Sequence, residues 1–265
     1  MKEIYYTSTR GLNKNFTASS AILNGISEDG GLFVPDTIPF IDEEELKKLK
    51  DMTYKELALC IIEKFFTDFS KEELEKCIDL AYDNKFESEK IVSLEKVGDV
   101  FCLELFHGPT LAFKDMALCL LPHLMKTAAK KQKLHKEIVI LTATSGDTGK
   151  AALEGFANIE GTKIVVFFPE QGVSKIQKKQ MVTQQGKNTK VIGIKGNFDD
   201  AQSEVKKIFN DHELKEELDK NSYMFSSANS INIGRLVPQI VYYFYGYMEL
   251  LRRGEIDFGD KINFS

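Results

Sequence analysis

Three short stretches of this sequence carry side chains able to do chemistry. In the first, L-F-H-G-P-T-L-A-F-K-D-M-A-L-C-L-L (Leu105 to Leu121), the only charges after Leu111 are Lys114 and Asp115, and every other residue there is apolar. Pro109, with Gly108 before it, predicts a helix starting near Leu111. A helix apolar all round is buried, so a lysine on it is largely removed from water. Desolvation disfavours the ammonium, and a neutral amine can attack a carbonyl carbon to form a Schiff base. The residues alone leave a second reading open, in which Lys114 snorkels to the surface or pairs with Asp115.

The second stretch is the turn Thr144-Ser145-Gly146-Asp147-Thr148-Gly149, between an apolar run and a helical pattern. Its glycines let backbone approach a ligand, and the N–H groups opening the helix favour an anion, with hydroxyls from Ser145 and Thr148 beside them. It lacks the Gly-Lys-Ser/Thr ending of a nucleotide loop and the G-x-G-x-x-G pattern. An ordinary strand-to-helix turn capped by Asp147 or Ser145 accounts for it equally well. The third stretch, Ser226 to Arg235 (S-S-A-N-S-I-N-I-G-R), gathers hydroxyls, two amides and a guanidinium ahead of a helix. Arg235 offers a fork suited to phosphate or carboxylate, and the alternative is a cap by Ser230 with Arg235 on the surface.

The elements that must position these residues follow from hydrophobic spacing. Residues 1–98 read as a mostly helical N-terminal region after an irregular start. Helical patterns cover Glu43 to Lys50, Thr53 to Phe66 and Ser70 to Ala81, the last with a capping box from Ser70 and Glu73. The glycine-rich segment Glu28 to Pro35 brackets a short extended piece at Leu32, Phe33 and Val34. Residues 99–265 read differently. A strand at Val100 to Phe106 precedes the lysine helix, and β-branched runs follow at Ile138 to Thr144, Lys163 to Phe168 and Lys190 to Lys195. Helical stretches at Gly149 to Phe156, Val173 to Gln184 and Phe198 to Phe209 separate or follow them. This alternation predicts an α/β fold, a parallel sheet with helices on both faces. A long helix at Ile231 to Leu251 carries Tyr242, Tyr243, Tyr245 and Tyr247 as core packing against the sheet, and Lys261 to Ser265 reads as the beginning of a strand.

Composition narrows the function classes. The chain has 265 residues, 43% hydrophobic and 28% charged, with a net charge of −5, which disfavours nucleic acid and anionic membrane surfaces as partners. No apolar run approaches the ~18 residues of a membrane span, and the N-terminus shows no secretory leader. Cys60, Cys77, Cys102 and Cys119 lack metal-ligand spacing, so no metal is expected and buried free thiols in a cytoplasmic protein are.

H-G-P-T-L-A-F-K-D (His107 to Asp115) closely resembles the pyridoxal-phosphate lysine motif of the threonine synthase family. T-S-G-D-T-G resembles the substrate-loop motif of fold-type II pyridoxal-phosphate enzymes, the tryptophan synthase β-like class. Asn229-Ser230-Ile231-Asn232 with Arg235 and the following L-x-P-Q-I-V-Y-Y-F-Y resemble the family's substrate-phosphate segment, and Tyr6 to Gly11 and Glu28 to Pro35 its N-terminal part. The resemblance implies pyridoxal 5′-phosphate as cofactor, held by Lys114 with Phe113 and Asp147 beside it. It implies that residues Thr144, Ser145, Gly146, Asp147, Thr148 and Gly149 bind the substrate carboxylate, and that Ser226, Asn229, Ser230, Asn232 and Arg235 bind its phosphate side. Many relatives have asparagine where this chain has Asp147, whereas long-chain threonine synthases have aspartate.

The implied reaction is a phospholyase conversion of O-phospho-L-homoserine and water to L-threonine and phosphate, by a monomer or homodimer. His107 and Asp199 are weaker candidates, a proton shuttle and a helix cap respectively. Family members are considerably longer and carry a Gly-Asn-Phe-Gly-Asn phosphate loop past a strand resembling Lys261 to Ser265. The chain is therefore expected to be an N-terminal portion that binds cofactor weakly and turns over little. Two alternatives stand beside this reading: another fold-type II lyase or dehydratase acting on serine or threonine, and a non-catalytic homologue that binds a phosphate ligand.

Overall fold

The computed structural model describes residues 2–265. The N-terminal elements are β1 (Tyr6–Ser8), α1 (Ala18–Asn24), β2 (Phe33–Pro35), α2 (Glu43–Lys48), α3 (Tyr54–Phe65) and α4 (Lys71–Ala81). Then come β3 (Ser93–Val97), β4 (Val100–Glu104), α5 (Asp115–Leu118), α6 (Leu121–Lys131), β5 (Glu137–Ala143), α7 (Asp147–Phe156) and β6 (Thr162–Pro169). The last are α8 (Lys175–Val182), β7 (Thr189–Ile194), α9 (Phe198–Asn210), α10 (His212–Lys220), β8 (Tyr223–Ser227) and α11 (Ile233–Arg252). No helix among the described residues is long and apolar enough to cross a membrane.

The β-branched runs make one parallel sheet in the order β7-β6-β5-β8. Side chains of a strand alternate between faces, and β5 divides accordingly. Ile138 and Ile140 join Ile164, Val166 and Phe156 of α7 in the main core. Val139, Leu141 and Ala143 pack with Ala201, Val205 and Phe209 of α9 on the opposite face. Both faces are covered by helices, as expected of a buried parallel sheet. The chain runs outward from β5 to β6 and β7, then returns to place β8 on the other side of β5. That reversal creates a crevice outside the carboxyl ends of β5 and β8, the place where open α/β sheets bind ligands.

The N-terminal region caps α4 with the Ser70 box expected from the sequence, and α3 with a second one. Thr53 with Glu56 and Ser70 with Glu73 form complete capping boxes on α3 and α4. The extended piece of the glycine-rich segment is β2, paired antiparallel with β1. One buried core joins Tyr6, Leu57 and Ile78 of this region to Ile140 and Ile164 of the sheet.

Several expectations are corrected. The lysine helix begins at Asp115 instead of Leu111. Leu111 adopts a left-handed backbone (φ 57°) and is 62% exposed, and successive turns carry residues 108–116. The cause is Asp115, whose buried carboxylate accepts from Thr110 N at 2.7 Å and Thr110 Oγ1 at 2.6 Å, folding the segment back before any helical turn forms. The apolar run beyond it is buried, yet split at Cys119–Leu120 into α5 and α6. The strand read over Val100 to Phe106 ends at Glu104 and pairs antiparallel with β3, outside the parallel sheet. Helix α11 packs against α1, α3 and α5 instead of the sheet. Tyr242 and Tyr245 are buried, whereas Tyr243 is exposed. Residues 261–265 adopt no regular structure, and Phe264 stacks edge-on against Tyr243. Cys77 and Cys119 are buried, Cys60 is half-buried and Cys102 is exposed.

His123 of α6 gives the fold a pH signature. Burial and the nearby Lys85 pull its pKa down to about 4, against an opposing pull from Asp83. Above pH ~6.5 the imidazole is neutral in both folded and unfolded chains. As pH falls from there toward 4 the unfolded chain takes up a proton that the folded chain refuses, so stability declines through that window. Allowing for partial exposure, the loss is expected to be about 2 kcal/mol. Urea unfolding midpoints should fall between pH 6.5 and 4, and His123→Gln should flatten that part of the profile.

Candidate functional site

Lys114, Phe113 and the Thr144 to Gly149 turn meet at the carboxyl end of β5, and Asn229 is tied to the same strand end. Lys114 is the last turn residue before α5, and its side chain is 18% exposed. Its Nζ lies 3.3 Å from Oδ2 of Asp147, the first residue of α7, and 4.3 Å from the centroid of the Phe113 ring. Lys114 therefore neither extends freely into solvent nor pairs with its neighbour Asp115. Its partner is a carboxylate 33 residues away, brought there by the β5–α7 connection.

The Thr144 to Gly149 turn is held from inside. Thr144 is buried, and its Oγ1 accepts from Gly146 N (3.0 Å) and Gly149 N (2.8 Å). The hydroxyl of Thr144 thus does what a cap from Asp147 or Ser145 was expected to do. Gly146 is the N-cap residue at φ 155°, a conformation L side chains rarely adopt. Ser145 is exposed, Asp147 and Thr148 are half-buried, and Gly149 is buried. Asp147 Oδ1 accepts from Nε2 of Gln177 on α8.

The third stretch divides. Asn229 donates from Nδ2 to the Ala143 carbonyl (3.1 Å), tying the end of β8 to the end of β5. Arg235 is 4% exposed and has no carboxylate partner among the described residues. Its Nη1 donates to the Ala228 carbonyl at 3.2 Å, its Nε is buried without an acceptor, and burial pulls its pKa down to about 10. Ser226 Oγ is likewise buried and unpartnered. Asn232 is spent on the fold. Its Nδ2 donates to the carbonyls of Ile22 on α1 (3.0 Å) and Ser227 (2.9 Å), while its Oδ1 accepts from Gly234 N. Ser230 is exposed. The structure thus brings Lys114, Phe113 and Asp147 together, places the Thr144 to Gly149 turn and Asn229 at the same sheet end, and buries Asn232 against α1.

His107 is bonded to Glu104 (Nε2 to Oε2, 2.9 Å) and its carbonyl accepts from Glu87 N. Asp199 lies in the first turn of α9, whose capping box is made by Asn197 and Asp200. Gln177 and the bonding of Thr110 to Asp115 escaped the sequence reading, which took Asp115 only as a possible partner of Lys114. Thr110 and Asp115 lie within the lysine motif and were legible only as spacing, while Gln177 lies in K-I-Q-K-K-Q, which reads as a solvated helix face.

These groups suit a phosphorylated aldehyde cofactor. A primary amine stands beside a carboxylate and an aromatic ring. The opening N–H groups of α7 favour an anion, as does the buried guanidinium of Arg235, whose Nε is unpartnered among the described residues. A cavity of about 260 Å³ adjoins the amine's neighbours, lined among others by Thr110, Phe113, Asp147 and Gln177.

Comparison with known proteins agrees with this geometry. The model of a family described as "Pyridoxal-phosphate dependent enzyme" matches residues 86–250, and that of "Threonine synthase N terminus" matches residues 5–82. The chain is 39% identical over 255 residues to human threonine synthase-like 1, covering 92% of this chain and 34% of the relative. It is 35% identical over 263 residues to threonine synthase of Schizosaccharomyces pombe, covering 96% and 50%. A crystal structure of pyridoxal-phosphate-bound threonine synthase from Brucella melitensis superposes with a TM-score of 0.83 at 38% identity, over 94% of this chain and 52% of that one. The chain thus spans a third to a half of the length of these relatives. With the lysine, the turn at the sheet switch point and the family model in agreement, the chain belongs to the pyridoxal-phosphate dependent enzyme family, and its N-terminal region is similar to the threonine synthase N terminus.

Proposed function

We propose that this chain carries the cofactor lysine of a threonine synthase, converting O-phospho-L-homoserine and water to L-threonine and phosphate. The observation that carries the reading is the Lys114 amine, shielded from solvent and set 3.3 Å from Asp147 at the switch point of the sheet. Lys114, Phe113 and Asp147 would hold pyridoxal phosphate, which when bound supplies an electron sink for the substrate's carbon skeleton. The chain's own residues supply the rest. The Lys114 amine takes a proton from one substrate carbon and returns it to another. Asp147 orients that amine. The α7 N-terminus, with Ser145 and Thr148, takes the substrate carboxylate. Arg235, which has no acidic partner among the described residues, takes the substrate phosphate as a bidentate donor, with Ser226 and Asn229 as the further candidates on the phosphate side. The four free thiols suit a cytoplasmic setting.

The test is substrate binding by calorimetry in the presence of pyridoxal phosphate. O-Phospho-L-homoserine should bind in preference to serine or threonine. Arg235→Met should weaken it about tenfold or more, the loss of one charge-assisted contact. Equal affinity for the Arg235 variant removes that assignment. Binding of serine without response to phosphohomoserine favours a different lyase of the same fold type.

A further inference from the structure

Asp147 is served by two donors from two different elements. Lys114 reaches Oδ2 from the turn before α5, and Gln177 reaches Oδ1 from the first turn of α8. We propose that Gln177 is a positioning residue: it fixes the Asp147 carboxylate so that its second oxygen faces the Lys114 amine. The inference rests on the reading of Lys114 as the cofactor lysine and adds a residue from outside the three sequence stretches.

The geometry leaves the Gln177 side chain little choice. Ser174, the N-cap of α8, accepts from Gln177 N at 3.2 Å and donates its hydroxyl to Gln177 Oε1 at 3.0 Å. With the amide oxygen occupied by a donor, the NH₂ end must face elsewhere, and it faces a carboxylate. The amide also lies flat against Gly146. A β-carbon there would fall 2.5 Å from Oε1 and 2.7 Å from Nε2. The missing side chain at Gly146 is what admits Gln177 to the turn. Asp147 needs the restraint, because its side chain is 41% exposed and an unrestrained carboxylate would rotate into solvent. Gln177 and Asp147 also line the cavity beside Phe113, so the positioned pair forms part of its wall. Through this bond α8 sets where the reactive amine points.

The experiment uses the full 265-residue chain without cofactor. A limiting amine-acylating reagent labels it, and peptide mass spectrometry reads Lys114 against the exposed Lys215. Gln177→Ala should speed labelling of Lys114 about threefold or more, because the carboxylate no longer holds the amine. Gln177→Met, which keeps the volume and loses the amide, should do the same. Asp147→Ala should speed it too. In the Asp147→Ala background Gln177→Ala should add nothing, since it acts through Asp147. Unchanged or slower labelling in both Gln177 variants overturns the proposal, and so does an equal increment in the Asp147→Ala background. A parallel titration with pyridoxal phosphate separates the two claims. If Lys114→Ala leaves its absorption band intact, the cofactor reading fails whatever the labelling shows.

Discussion

Replacing Gly155 by alanine is expected to destabilise the protein by about 3 kcal/mol, despite the better helix propensity of alanine. Gly155 lies in the last turn of α7, where that helix crosses the end of α5. A β-carbon on it would stand 2.1 Å from the Leu118 carbonyl oxygen and 3.0 Å from its carbon. Those are backbone atoms of the helix that follows Lys114, and no side-chain rotation relieves the overlap. The helices must separate, opening a core in which Leu118, Leu121 and Phe156 are fully buried. Glycine inside a helix costs roughly 1 kcal/mol relative to alanine, so its presence here marks a close approach. Thermal unfolding should show a fall of roughly 10 °C. A Gly155→Ala protein as stable as the parent would contradict the packing of α7 on α5.

Asp115→Ala is expected to cost about 3 kcal/mol as well. The carboxylate is fully buried, and burial pushes its pKa up while its contacts with Thr110 oppose that shift. It accepts both the backbone N–H and the hydroxyl of Thr110, at 2.7 and 2.6 Å. Removing it leaves two buried donors unpaired, at about 1–3 kcal/mol each, offset in part by relief of the desolvated charge. Thr110→Val in the Asp115→Ala background removes one stranded hydroxyl and should recover about 1 kcal/mol. Urea denaturation of the single and double variants measures both. Additive losses would show that Thr110 and Asp115 are not a unit.

Both substitutions act on the segment that delivers Lys114, and that segment shows where the sequence was legible. The apolar run after Asp115 states its own burial, and it is buried. Its beginning does not, because the left-handed turn at Leu111 is imposed by the bond from Asp115 back to Thr110, which periodicity does not encode. The strands β5, β6 and β7 were readable from β-branched runs spaced like βαβ units. The antiparallel pairs β1–β2 and β3–β4 were only partly readable, since β1 is three residues long and pairs with β2 across the intervening α1, and β3 is mostly exposed, so no apolar alternation marks it. Helix α10 was missed because none of its residues is buried, so no apolar stripe marks it.

The candidate site divides along the same line. Lys114 and the Thr144 to Gly149 turn are contiguous motifs, and their placement at one sheet end follows from the strand order. Gln177 is invisible in sequence because lysines surround it, and only the packing of α8 on α7 turns it toward Asp147. Asn232 reads as a pocket residue beside Arg235, yet its amide bridges β8 to α1.

Lys114 is the residue proposed to take the cofactor. The most direct test mixes the chain with pyridoxal phosphate, reduces with borohydride, and locates the reduced adduct by peptide mass spectrometry, with Lys114→Ala in parallel. An absorption band that depends on Lys114 and an adduct on the peptide containing it are expected, both lost in the variant. An adduct spread over surface lysines, with the same band in Lys114→Ala, would contradict it.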